Sequence, residues 1–170
     1  MNHYLRAQND LTSVATLRAD HLLGAFADHL NKLDRHNPSQ SPNHDHQILI
    51  RRAHAYALGL SALEDHDNYN SERLLNYQAR CLYLLEQLSD ALQTHALPYT
   101  YHGASEGDGS CFGFFPDHHH IQDCLDNGEL PSYHDLADVP EDIDTDYAVI
   151  NDHGNITIYD CNENPFVSLV

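Results

Sequence analysis

Lysine and arginine are absent from the last 90 of the 170 residues. All eight basic residues lie in the first 80 positions, where nine acids leave a net charge of −1. From Cys81 to Val170 there are seventeen acids and no Lys or Arg, which gives a net charge of −17. A half with this charge repels nucleic acid and attracts positively charged partners. Direct binding to DNA or RNA is therefore not expected.

Long apolar runs and a signal-peptide pattern are also missing. No apolar stretch approaches the roughly 18–20 residues that span a bilayer, and the polar N-terminus lacks a charged n-region followed by an apolar h-region. The four cysteines (Cys81, Cys111, Cys124 and Cys161) form no CxxC pair, so we expect reduced thiols rather than disulfides. The sequence predicts a soluble protein of the cytoplasm that does not bind membranes.

The motifs of common enzyme classes are missing too. The glycine-rich stretch GASEGDG (103–109) lacks the Lys and Ser/Thr of a phosphate-binding loop and the GxGxxG pattern of dinucleotide-binding folds. No GxSxG motif supports a nucleophilic serine, and with 26 acids in the chain, paired carboxylates arise by chance. We therefore expect a binding protein rather than an enzyme, with no catalytic residues and no cofactor.

Apolar residues at helical spacing dominate the first half. The pattern predicts a first helix from about Leu11, capped by Asn9 or Asp10, then a loop at 35–46 and a second helix from Asp45 to about Glu64. A polar turn at 64–70 precedes a third helix, which Pro98 ends. We expect three helices with apolar faces, and a homodimer through the third.

The sequence pattern of the second half is typical of short strands and turns. Hairpins are predicted near 99–115 and 147–160, a short helix within 118–130 closed by Gly128, and a last strand at 166–170. The fold class is thus α+β, with three N-terminal α-helices packed on a small C-terminal antiparallel β-sheet. We expect a single domain, 1–170, with a helical part at 1–97 and an acidic, β-rich part at 98–170.

Two motifs, which follow one another along the chain, resemble motifs of a known group of proteins. GDGSCFGFFPD, followed by YAVINDHGNITIY, resembles the C-terminal part of small phage- and prophage-encoded accessory proteins of unassigned function. Those proteins combine a GDG…FGF…P segment with a VNDHGNVTLY-like ending, and here Phe115 replaces a common Trp and Ile150 occupies a Val position. The resemblance covers about residues 99–160. It implies a mobile-element gene of the kind that includes inhibitors of host defence, among them anti-CRISPR proteins, and it implies no catalytic residue.

Charge and resemblance together predict an acidic inhibitor that mimics nucleic acid. DNA carries about one charge per 1.7 Å of helix axis, and its binders present matching Lys and Arg. Carboxylates on a rigid fold would occupy such a basic surface on a host protein, either a CRISPR–Cas effector or a restriction component, and so evade host defence. The candidate partner-binding residues are Asp123, Asp126, Glu129, Asp135, Asp138, Glu141, Asp142, Asp144 and Asp146.

The alternative is a zinc-binding structural or hydrolytic protein. Its candidate ligands are His102, Cys111, His118, His120 and Cys124, because His and Cys side chains at this density suit tetrahedral zinc. However, neighbouring histidines in HHH point in different directions. The chain also holds fifteen histidines spread throughout, including His44 and His46. This distribution indicates that the whole sequence is rich in histidine and does not single out a metal site. The primary prediction therefore includes no metal ligand.

Overall fold

The computed structural model describes residues 11–13, 16–36, 43–64 and 72–169. The predicted caps Asn9 and Asp10, residues 37–42 of the predicted loop at 35–46 and residues 65–70 of the predicted turn at 64–70 lie outside these residues. After one short strand, three long helices precede the remaining strands, so the predicted α+β class is confirmed. The elements are β1 (Leu11–Ser13), α1 (Ala19–His36), α2 (His44–Glu64), α3 (Glu72–Gln93), β2 (Thr100–Ala104), β3 (Phe112–Pro116), α4 (His118–Asp126), β4 (Ser132–Tyr133), a 3-10 helix (Leu136–Asp138), β5 (Tyr147–Ile150), β6 (Ile156–Tyr159) and β7 (Pro165–Leu169).

Contacts divide the described chain into two compact units. We call 11–95 with 102–113 the helical unit, and 96–101 with 114–169 the sheet unit. Strands β2 and β3 each have residues in both units. The division falls close to the composition boundary at 97/98 that the sequence indicates.

The helical unit is built on α1, α2 and α3. Their apolar faces supply a core that includes Leu23, Leu30, Leu60 and Leu88, all at most 1% exposed. The start of α2 is fixed by Asn43, whose side-chain oxygen accepts hydrogen bonds from the backbone N–H groups of Asp45 and His46 at 3.0 and 3.4 Å. This cap satisfies amides that have no partner within the helix.

The predicted start of the first helix is wrong. Leu11–Ser13 forms strand β1, which pairs antiparallel with β3 through Leu11 with Gly113 and Ser13 with Phe112, and α1 begins only at Ala19. The pairing joins positions about one hundred residues apart, so local periodicity carries no sign of it. A tertiary contact therefore overrides the helical spacing here.

The sheet unit contains a four-stranded sheet in the order β4-β5-β6-β7. The hairpin predicted near 147–160 is formed by β5 and β6, which pair antiparallel with Tyr147 opposite Tyr159. Strand β7 in turn pairs antiparallel with β6. Strand β4 pairs with β5 in parallel, which makes the sheet mixed. Its core is Ile121, Cys124, Leu130, Ala148, Ile158, Phe166 and Val167.

The second of the two motifs, YAVINDHGNITIY, contains residues that form a turn. In NDHGN, the side-chain oxygen of Asn151 accepts from the backbone N–H groups of His153 and Asn155 at 2.9 and 3.1 Å. Gly154 has a φ of 81°, a conformation that glycine adopts without steric cost. The motif thus shapes the β5–β6 turn.

Candidate partner-binding surface

The loop between β4 and β5 holds six of the nine predicted site residues. We call residues 134–146 the acidic segment. Asp138, Glu141, Asp142 and Asp144 are exposed there. Asp135 is exposed as well, but it also begins the 3-10 helix, where its carboxylate accepts a hydrogen bond from the backbone N–H of Ala137 at 3.2 Å.

Asp146, at the end of the acidic segment, differs from the other five. It is half-buried, and burial together with the charge of Asp160 raises the pKa of its carboxyl group above the usual range. Burial acts on Asp160 in the same direction. There, however, hydrogen bonds from Asn164 and Asn162 outweigh it and lower the pKa. Asp160 therefore keeps its negative charge beside Asp146.

The remaining three predicted site residues belong to α4 and the turn after it. Asp123, Asp126 and Glu129 are all exposed. Asp117 caps this helix by accepting from the backbone N–H of His120 at 3.0 Å, and Gln122 donates to Asp126 at 2.8 Å.

Tyr99 lies close enough to the end of α4 and to the end of the acidic segment to be affected by charges from both. Burial, and then the charges of Asp146, Cys124 and Glu129, raise the pKa of its phenol. Charges act on a phenol in this way only when they lie near it. Asp146 and Glu129 are thus neighbours of one side chain, which brings together two of the predicted site residues that lie 17 positions apart.

No arginine or lysine offsets these charges within the described residues of the sheet unit. Those residues include thirteen acids, ten of them exposed. The unit therefore presents a strongly negative surface to solvent, whose field extends about a Debye length, roughly 8 Å at physiological salt.

The alternative zinc ligands are divided between the two units. His102 and Cys111 belong to the helical unit, whereas His118, His120 and Cys124 belong to the sheet unit. His118 is exposed. His120 and Cys124 approach each other, with the Cys124 sulfur 3.8 Å from the His120 ring nitrogens.

Cys124 is in a poor state for metal binding. Burial, followed by the nearby carboxylates of Glu129 and Asp123, raises the pKa of its thiol. Metals bind the thiolate rather than the thiol, so these surroundings disfavour the metal-binding form.

Comparisons with protein-family models, with curated proteins and with solved structures gave no match to this chain. Among the described residues, no helix combines the length and the apolar character needed to cross a membrane.

Proposed function

We propose that the protein is an acidic inhibitor that binds a basic, nucleic-acid-binding surface of a host defence protein. In this proposal the acidic segment and the acids of α4 take the place of nucleic-acid phosphates and pair with lysine and arginine of the partner. The observation that carries the proposal is the exposed acidic segment in a unit whose described residues contain no lysine or arginine. The resemblance to phage accessory proteins points to a CRISPR–Cas effector or a restriction component as the partner.

The electrostatics of Asp146 support the same proposal. Burial, and then the charge of Asp160, raise its pKa, so holding its negative charge costs stability in the isolated protein. Proteins keep such unfavourable arrangements mainly where function uses them. A cationic partner would relieve the repulsion, so binding would lower the pKa of Asp146.

The test uses four exposed acids that the fold does not use as caps. Asp138→Asn, Glu141→Gln, Asp142→Asn and Asp144→Asn are combined in one variant. A partner is first captured from host lysate at low salt, and the protein is then titrated against a complex of that partner with labelled DNA. We expect wild type to displace the DNA and the variant to bind at least about tenfold more weakly, because each exposed charge pair contributes about 0.5 kcal/mol.

A control variant removes the same charge from the helical unit. Glu72→Gln, Glu86→Gln, Asp90→Asn and Glu106→Gln lie at exposed positions there. We expect this control to displace DNA nearly as well as wild type, and binding by wild type to weaken as salt rises. Equal loss in both variants would indicate a general charge effect, and no loss in either would overturn the proposal.

The predicted homodimer stays a prediction. Leu75 and Leu82 lie seven positions apart on α3, with Tyr83 beside them, and these side chains are 57–60% exposed. Size-exclusion chromatography with light scattering measures the mass directly.

A further inference from the structure

Three side chains from different parts of the helical unit converge on one point. Asp34 lies in the last turn of α1, His46 in the first turn of α2, and His95 in the turn after α3. One ligand atom of each lies within 4.8 Å of the others. We call this group the Asp34 cluster. It contains none of the residues that the sequence marks as zinc ligands.

The distances from Asp34 to the two imidazoles match the edges of a metal-coordination shell. The Nδ1 atom of His46 lies 3.1 Å from both carboxylate oxygens of Asp34, and the Nε2 atom of His95 lies 3.2 Å from Oδ1. In a tetrahedral zinc site with bonds of about 2.0–2.1 Å, neighbouring ligand atoms lie about 3.3 Å apart. Only small side-chain shifts would therefore bring all three ligands onto one ion.

The Asp34 cluster is largely buried, and its carboxylate is paired with both imidazoles. The side chain of Asp34 is 7% exposed, and those of His46 and His95 are 15% and 16% exposed. The carboxylate also lies near the C-terminus of α1, the helix end where the dipole disfavours negative charge. A divalent cation would neutralise it while both imidazoles stay in their neutral, metal-binding form.

The three donor atoms of the Asp34 cluster indicate which class of metal it would bind. Two imidazole nitrogens and one carboxylate oxygen suit zinc and the neighbouring divalent transition metals, whereas calcium and magnesium prefer oxygen donors throughout. Three protein ligands leave at least one coordination position for water or an external ligand. His46 also lines an open cleft of about 450 Å³ together with Arg52, Gln87 and Asp90, so at least one ligand borders space accessible to solvent.

We propose that Asp34, His46 and His95 form a binding site for a divalent transition metal, with zinc as the reference ion. The metal would join the ends of α1 and α3 to the start of α2. This site is independent of the proposed binding function, because its ligands lie in the helical unit and none belongs to the acidic segment.

The experiment measures zinc binding to tag-free protein that has been stripped with a chelator. Calorimetric titration with zinc chloride should give one tight equivalent and raise the melting temperature, since the ion binds the folded state preferentially. Asp34→Asn, His46→Gln and His95→Gln should each weaken the tight site at least about tenfold. The matched control is His54→Gln, a half-exposed histidine of α2 that faces Asp28 of α1 at 3.3 Å, and it should bind zinc like wild type.

A second measurement uses only the wild-type protein, so it does not depend on whether the variants fold. Cobalt is loaded into the wild-type protein, and X-ray absorption reads its ligands. Two imidazoles with oxygen donors support the proposal, whereas a sulfur ligand would assign the metal to a cysteine and overturn it. Several weak equivalents that none of the three substitutions reduces would also overturn it, because scattered surface histidines would then account for all binding.

Discussion

The imidazole of His102 packs edge-on against the ring of Phe26, with the ring centroids 5.1 Å apart. The same imidazole contacts two hydroxyl groups, those of Thr12 at 3.1 Å and Ser89 at 3.2 Å. The sequence suggested His102 as a zinc ligand, but the structure gives it a place in the core of the helical unit. Burial, with a smaller contribution from His29, lowers the pKa of His102 from 6.5 to about 4.

This lowered pKa predicts a loss of stability in mild acid. Below pH 6.5 the unfolded chain takes up a proton at His102 that the folded chain does not bind until about pH 4. The contribution is therefore complete above the unfolded pKa and decreases as the pH falls towards 4. Between pH 7 and pH 5 we expect His102 to remove about 2 kcal/mol from the free energy of unfolding, as measured by urea denaturation.

Two variants isolate this effect from the other histidines. His102→Gln should unfold with a weaker pH dependence than wild type by about the same amount, about 2 kcal/mol. His54→Gln, at a half-exposed position, is the control for replacing a histidine elsewhere in the helical unit. A His102→Gln protein with the full wild-type dependence would contradict the argument.

Two helical glycines should respond in opposite ways to alanine. Gly24 in α1 has open space where a Cβ would lie, so Gly24→Ala should raise the free energy of unfolding by about 0.5–1 kcal/mol. At Gly59 in α2, a Cβ would overlap the hydroxyl oxygen of Tyr77 and lie 2.7 Å from its Cζ atom. The Tyr77 ring packs against Tyr56, with centroids 4.9 Å apart. We therefore expect Gly59→Ala to cost about 1–3 kcal/mol, measured by chemical denaturation.

The control for Gly59 is a double-mutant cycle. In a Tyr77→Ala background the clash is gone, so Gly59→Ala should become stabilising, as it is at an open helical position. If the cost persists in that background, the close approach of Tyr77 is not its cause.

The parts of the fold that local pattern determines could be predicted from the sequence. The apolar spacing predicts the second helix from Asp45, and it begins at His44; the sequence also predicts that the short helix closes at Gly128, where the φ is 74°. Apolar spacing, caps and glycine carry this information within a few residues of chain. Strand β1 could not be predicted in this way, because its partner strand lies about one hundred positions away.

The same distinction between local pattern and tertiary contact applies to the candidate sites. Exposure of the acidic segment follows from its composition, whereas the burial of Asp146 beside Asp160 depends on how the chain folds. The Asp34 cluster has no local signature, since Asp34 and His95 are 61 positions apart. In a chain with fifteen histidines, nothing in the local sequence distinguishes His46 and His95 from the other thirteen.

Tyr147 is an aromatic residue whose ring stabilises the sheet unit while its hydroxyl does not. It is fully buried, stacks on Tyr159 with centroids 5.4 Å apart, and meets the edge of Tyr133 at 6.0 Å. Among the described residues, nothing forms a hydrogen bond with its hydroxyl oxygen. A buried polar group without a partner costs about 1–3 kcal/mol.

Removing only that hydroxyl should therefore be harmless or favourable. We expect Tyr147→Phe to keep the free energy of unfolding or raise it by up to about 1 kcal/mol, because the ring contacts remain and the desolvated oxygen is lost. Tyr147→Leu should cost about 1–3 kcal/mol through the lost ring packing, and Tyr159→Phe, at a half-buried position, should change little. Urea denaturation of the three variants measures all of these differences. A clear loss of stability in Tyr147→Phe would show that a buried water satisfies the hydroxyl in solution.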